Sequence, residues 1–378
     1  MTDDALPEPD RVDGAPHPRE IAHLFGHAAA EADFLAAAGS DRLPHGWLLT
    51  GPEGIGKASF AWRAARFLLA TPPKSEADHG LFGAAPPPDT LDVAPDHPVA
   101  ARLRALSEPG LCLIRRGPRD DGKALSDVIR ITEVRRLKTF FQLSAGGAGR
   151  RVVIVDCADD LHPNAANALL KELEEPPRDA VLFLIAHRPS ALLPTIRSRC
   201  RTLRFQPLGA ADLAAALAQA GQSVPENAAG LTELSGGSVG RAVRLLSHDG
   251  LGLYGDLLRL LQGLPRLDRP LALQLADATS GKDGEARFDL TLLLLDTALA
   301  RLARAGSTGA TPPEIVPGEA AALARLAPDP KAGRLWADLA AALTQRARRG
   351  RAVNLDPAAL TFDMFLELDR AAAALPAA

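Results

Sequence analysis

Residues 46–57 read Gly-Trp-Leu-Leu-Thr-Gly-Pro-Glu-Gly-Ile-Gly-Lys, and the reading of the fold starts from them. An apolar, strand-like run, Gly46–Thr50, passes into a turn with glycines at 51, 54 and 56. The helical pattern of Phe60–Leu69 follows Lys57. A strand, a glycine turn and a helix in that order form the context of a phosphate loop. The glycines let backbone amides turn inward, the helix N-terminus adds partial positive charge, and Lys57 supplies a full one. Gly51, Gly54, Gly56, Lys57, Ala58 and Ser59 are therefore the candidate phosphate-binding residues. Such a loop ordinarily closes on a Ser or Thr whose hydroxyl holds Mg²⁺, and here that position is Ala58. Ser59 comes one residue later, about 100° around the helix, so its hydroxyl is expected to face away from the ion. Two readings stay open: a loop that holds nucleotide phosphate, and a loop kept as a structural turn.

Outward from this loop, strand-like runs recur at Leu111–Ile114, Val152–Val155, Val181–Ile185 and Thr202–Phe205, with helical patterns between them. Apolar runs of four or five residues bounded by turn signals suit a parallel sheet buried on both faces. The alternation predicts an α/β domain over 19–206. Seven prolines (Pro72, Pro73, Pro86, Pro87, Pro88, Pro95 and Pro98) mark residues 71–99 as a loop or insertion. From about 207 the pattern is helical throughout. Residues 207–250 read as a small helical lid and 251–378 as an all-α domain, with long Leu/Ala-rich helices at Leu290–Arg304 and Leu335–Arg349.

The second half of the nucleotide site falls on Arg151-Val-Val-Ile-Val-Asp156-Cys157-Ala-Asp159-Asp160. An apolar strand ending in Asp156 resembles a Walker B strand, whose carboxylate holds the metal's water shell. Asn164-Ala-Ala-Asn-Ala-Leu-Leu-Lys-Glu-Leu-Glu-Glu175-Pro-Pro comes next, with Ala166, Leu169, Leu170 and Leu173 on one helical face and Pro176 ending the helix. Ala186-His187-Arg188-Pro189 and then Leu192–Cys200, closing on Ser198-Arg199-Cys200, complete a stretch of about forty residues.

In wording, order and spacing these segments resemble the clamp-loader branch of the AAA+ family, and within it the delta-prime subunits of bacterial DNA polymerase III. The resemblance implies a P-loop AAA+ domain with a five-stranded parallel sheet and helices on both faces, then a lid and an oligomerisation collar. It implies that Arg199, within the Ser198-Arg199-Cys200 motif, acts in trans on a neighbouring subunit's γ-phosphate. The planar, permanently charged guanidinium fork suits that task. In this family hydrolysis also uses a glutamate straight after the Walker B aspartate, and Cys157 stands there. Cys157 cannot orient water as a carboxylate does, and Ala58 lacks the metal-binding hydroxyl, so ATP or ADP bound without hydrolysis is the expectation. Two further positions depart from the family. Ala186-His187 replaces a small polar sensor residue, and Gly240 stands where an arginine should follow Gly237-Ser238-Val239, with Arg241 one place late. The implied partners are the tau/gamma and delta subunits and, through the complex, the sliding clamp and primer-template DNA. The competing readings are an ATP-hydrolysing tau/gamma-like motor, which needs both missing groups, and a stand-alone AAA+ motor on DNA, which has no use for Ser198-Arg199-Cys200.

Composition narrows the rest. The chain of 378 residues carries a formal net charge of −3, so no global field draws it to DNA. No apolar run reaches the roughly 18–20 residues a bilayer span needs. The first twenty residues hold six acids and two arginines, which reads as a disordered acidic segment over 1–18 of a cytoplasmic protein. Cys112, Cys157 and Cys200 are too scattered for a disulfide framework or a cysteine zinc site, and the four zinc cysteines of many clamp-loader relatives are missing, so no zinc is expected. His23 and His27, four apart, lack a third ligand and read as capping or core residues. Arg346, Arg348, Arg349 and Arg351 read as a solvated helix end, with a DNA or partner contact as the sharper alternative.

Overall fold

The structure is a computed structural model that describes residues 8–40, 43–71, 88–119, 122, 124–142, 149–281 and 284–375. The chain packs as two compact units, Met1–Val224 with Gly237–Gly240, and Pro225–Gly236 with Arg241–Ala378. The first unit contains α1 (Ala28–Gly39), β1 (Gly46–Thr50), α2 (Lys57–Ala70), α3 (Pro98–Arg104), β2 (Leu111–Arg115), α4 (Ile131–Gln142), β3 (Arg151–Asp156), α5 (Pro163–Glu174), β4 (Ala180–Ala186), α6 (Pro194–Arg197), β5 (Arg201–Arg204) and α7 (Ala210–Gln219). Its strands form one parallel sheet in the order β2-β3-β4-β1-β5.

The strands read as apolar runs because both faces of the sheet are covered. Successive side chains point to opposite faces. Trp47, Leu49, Val152, Ile154, Phe183 and Ile185 pack with Phe34 of α1, Phe60 and Leu68 of α2 and Leu103 of α3. The alternate residues Leu48, Val153, Val155, Leu182 and Leu184 pack with Leu137 of α4 and with Ala165, Leu169 and Leu173 of α5. Each fully buried Phe or Leu is worth about 1.5–3 kcal/mol, so the two cores together hold the sheet rigid under its loops. Helix α5 is set by Pro163 in its first turn and by His162, whose side chain accepts from the amide of Asn164 at 3.3 Å. It presents the predicted face, with Leu170 at its edge, half-buried.

Two expectations need amendment here. Disorder over 1–18 does not extend to residues 8–18. Asp10 is buried between Arg115 at 2.5 Å and His17 at 3.2 Å, and Glu8 pairs with Arg19 at 2.8 Å. Acidic residues can be ordered there because basic partners at the end of β2 and the start of the domain receive them. Residues 1–7 lie outside the described residues. So does most of the proline-rich segment, residues 72–87; of its described part, Pro98 opens α3 rather than lying in a loop, because proline is tolerated in a helix's first turn.

The second unit contains α8 (Ala228–Ser235), most of α9 (Val239–Ser247), α10 (Gly250–Gly263), α11 (Arg269–Asp277), α12 (Gly284–Thr308), α13 (Glu319–Leu326), α14 (Pro330–Ala352) and α15 (Pro357–Ala373). Helices α12 and α14 cross at glycines. A Cβ on Gly306 would lie 2.7 Å from the backbone nitrogen of Gly333, so no larger residue fits the crossing without moving it. Arg346, Arg348, Arg349 and Arg351 form an exposed helix end, in which Arg346 and Arg351 pair with Asp363 and Asp289 of the same unit. At the centre, Glu319 is fully buried. Its carboxylate accepts from Tyr254 Oη at 2.6 Å, Arg301 Nε at 2.6 Å, Arg301 Nη2 at 3.1 Å and the amide of Ile315 at 2.6 Å. Removing one partner of such a cluster strands the other charge in a dry interior, at a cost of about 3–5 kcal/mol. Glu319→Ala should therefore lower the unfolding free energy of this helical unit by that amount, while Glu314→Ala, on the exposed rim, should leave it within about 0.5 kcal/mol; urea unfolding followed by circular dichroism checks both.

Candidate functional site

In parallel sheets ligands gather beyond the carboxyl ends of the strands, and the phosphate loop leaves β1 at that end. Residues 51–56 form the turn, and α2 begins at Lys57. Gly54 sits at φ +74°, and a Cβ there would lie 2.5 Å from Ser238 Oγ, so both conformation and space demand glycine. The loop's own polar groups meet protein partners. Ser238 Oγ donates to the carbonyl of Glu53 at 2.8 Å, and the amide of Gly240 donates to the carbonyl of Gly54 at 3.0 Å. His27 Nε2 lies 2.7 Å from the carbonyl of Ile55. Its ring is buried against Phe205, and burial lowers its pKa, so it is neutral and donates. His23 is exposed and joins no metal pair with it.

Lys57 turns its ammonium back onto the loop, donating to the carbonyls of Gly51 at 2.6 Å and Pro52. Burial pushes its pKa down to about 8, with Cys157, Asp156, Asp159 and Glu53 resisting the fall. Ala58 and Ser59 are half-buried in the first turn of α2, Ala58 against the hydrophobic core. Across the sheet end, Asp156 closes β3 in register with Arg115 of β2. Burial first and the Asp10 carboxylate second raise the Asp156 pKa to about 7, while Lys57 and Arg115 hold it back. The structure thus brings Gly51, Gly54, Gly56, Lys57 and Asp156 to one end of the sheet, as the sequence reading required.

Arg199 is elsewhere. It precedes β5, which starts level with the beginning of β1: Trp47 pairs with Arg201. A Cβ on Gly46, the first residue of β1, would meet the carbonyl of Arg199 at 3.2 Å and Cys200 Sγ at 3.2 Å. The arginine therefore lies at the amino end of the sheet, about 16 Å of strand away from the phosphate loop at roughly 3.3 Å per residue. Its side chain is exposed, paired with Glu174 at the end of α5 at 2.7 Å and donating to the carbonyl of Thr195 at 3.0 Å.

Asp10 is the site residue that sequence reasoning missed. Its place in an acidic, proline-containing tail pointed to solvent, and only the fold brings Arg115 and Asp156 to it. The raised carboxyl pKa of Asp156 has a definite sign. The folded state binds a proton there that the unfolded state has released, so stability falls as pH rises from about 4 to about 7. Asp156→Asn removes that cost. The variant should gain stability over the native chain on the order of 2 kcal/mol more at pH 8 than at pH 5, read from denaturant midpoints at both pH values.

The sequence profile of the family described as "DNA polymerase III, delta subunit" matches residues 26–209. The DNA polymerase III subunit delta' of Pseudomonas aeruginosa is 37% identical over 224 residues, covering 59% of this chain and 61% of that protein. The corresponding Bacillus subtilis subunit is 33% identical over 168 residues, 44% of each chain. The chain thus spans about three fifths or less of the length of these relatives. Among solved structures, a DNA polymerase III gamma subunit-related protein of Thermotoga maritima aligns over 87% of this chain and 96% of its own at 18% identity, with a TM-score of 0.32. By the profile match and these two relatives, residues 26–209 are similar to DNA polymerase III delta-type subunits.

Proposed function

We propose that this chain is a non-hydrolysing subunit of a sliding-clamp loader and lends Arg199 to the ATP site of a neighbouring subunit. One observation carries the reading: the motif arginine lies at the end of the sheet opposite its own phosphate loop. A guanidinium there can meet a γ-phosphate only on another chain. The home site supports the same division of labour, since Ala58 offers no hydroxyl to a metal and Cys157 no carboxylate to water. Any ATP or ADP it holds stays unhydrolysed.

The neighbours in this reading are tau/gamma-type ATPases and the delta subunit, working in the cytoplasm on the sliding clamp and primer-template DNA. The lid over 207–250 and the collar over 251–378 would supply the family's remaining modules. Among the described residues no helix is long and apolar enough to cross a membrane.

Two measurements test the proposal. The isolated chain should show no steady ATP turnover; a rate near about 1 s⁻¹ that vanished in Lys57→Ala would overturn the non-hydrolysing assignment. In a reconstituted loader, Arg199→Ala should assemble normally yet lose clamp transfer to primed DNA. The ATP site that this arginine serves should slow by about 10³–10⁵ while sites served by other subunits keep their rate. Arg199→Lys should rescue poorly, because lysine keeps the charge without the fork. Wild-type transfer by the alanine variant, with incorporation confirmed, would reduce Arg199 to a surface ion pair.

A further inference from the structure

Two of the positions at which the sequence departs from the clamp-loader pattern meet in space. Cys157 follows Asp156 at the end of β3, and His187 follows Ala186 at the end of β4, the strand beside it. Asp159, in the turn after β3, stands between them. Its Oδ2 accepts from Cys157 Sγ at 3.2 Å, from the amide of His187 at 2.5 Å and from the amide of Arg188 at 3.0 Å. One ligand-capable atom from each of Cys157, Asp159 and His187 falls within 4.8 Å of the other two. Two polar atoms of the group, Asp159 Oδ1 and His187 Nδ1, are buried without a hydrogen-bond partner. Buried polar atoms in folded proteins are nearly always paired, and an exception calls for a water, an ion or a function.

We propose that Cys157, Asp159 and His187 form a transition-metal site, with zinc the fitting ion, three protein ligands and one position left to solvent. The donor set decides the class of ion. A thiolate and an imidazole select a borderline-soft cation such as Zn²⁺ over Mg²⁺ or Ca²⁺, which take oxygen donors. The charges also match, for one thiolate and one carboxylate offset a dication. Binding expels the Cys157 proton to solvent, since only the thiolate ligates. The Lys57 ammonium opposes a cation here, and the Asp159 and Glu53 carboxylates counter it. The two amides on Asp159 Oδ2 orient its carboxylate, as the outer contacts of metal ligands do. The sequence expectation of a zinc-free chain rested on a missing cysteine quartet elsewhere, and it did not anticipate donors drawn from two strand ends.

The test uses the purified full chain without an affinity tag, so that no foreign histidines compete, and it does not depend on the clamp-loader reading. Titration with Co²⁺ should give one equivalent bound with a thiolate-to-cobalt charge-transfer band. Zn²⁺ should displace it stoichiometrically. Cys157→Ser should abolish the band, and His187→Ala and Asp159→Asn should each weaken binding by at least about 100-fold, beyond the 10–100-fold typical of losing an outer contact. Cys112→Ser and Cys200→Ser should change nothing, and circular dichroism on every variant separates loss of a ligand from loss of fold. No bound metal in the native chain, or a band that survives Cys157→Ser or disappears in Cys200→Ser, overturns the proposal.

Discussion

The pairing of β1 with β4 on one side and β5 on the other is the constraint on which the functional geometry depends. Because all strands run parallel, every loop that follows a strand opens at one end of the sheet and every segment that precedes one lies at the other. The phosphate loop follows β1, Asp156 ends β3 and His187 follows β4, so nucleotide chemistry and the donor cluster are confined to the carboxyl end. Arg199 precedes β5 and belongs to the amino end. The register of Trp47 with Arg201 fixes this separation, and the two buried cores keep it from relaxing. The phosphate loop and Arg199 are therefore held at opposite ends of one sheet.

At the carboxyl end the dominant physical term is desolvation. It pulls the Lys57 pKa down to about 8 and pushes that of Asp156 up to about 7, so each drifts toward neutrality. Lys57 is compensated by two loop carbonyls. Asp156 is pressed further by Asp10, itself anchored by Arg115 and His17. Ala58 brings no hydroxyl and Cys157 no carboxylate to this end of the sheet.

Much of this was legible in the sequence because the signals are local. All five strands were placed to within about one residue, since a sheet covered on both faces leaves unbroken apolar runs. Helix α5 was read from its spacing and its terminal proline. The glycine turn between β1 and α2 was legible because left-handed backbone at Gly51, Gly54 and Gly56 demands glycine. What stayed hidden depends on juxtaposition. Asp10 lies 105 residues from Arg115, and nothing in an acidic tail announces its partner. The meeting of Asp159 with His187, 28 residues apart, follows from β3 and β4 being neighbours, and strand order is not written in any one run of residues. Arg346 and Arg351 likewise carried a basic signal, while their acidic partners came from α15 and α12.

The same topology explains why the two ends of the sheet could diverge. The groups at the carboxyl end and Arg199 at the amino end are held by separate contacts. The arginine's backbone is held by the close approach of Gly46, where any side chain would strike the Arg199 carbonyl at 3.2 Å, and its guanidinium rests on Glu174 at the end of α5. Neither restraint touches the phosphate loop. Substitutions at Ala58, Cys157 or His187 change groups at one end of the sheet and touch neither of the contacts that hold Arg199 at the other.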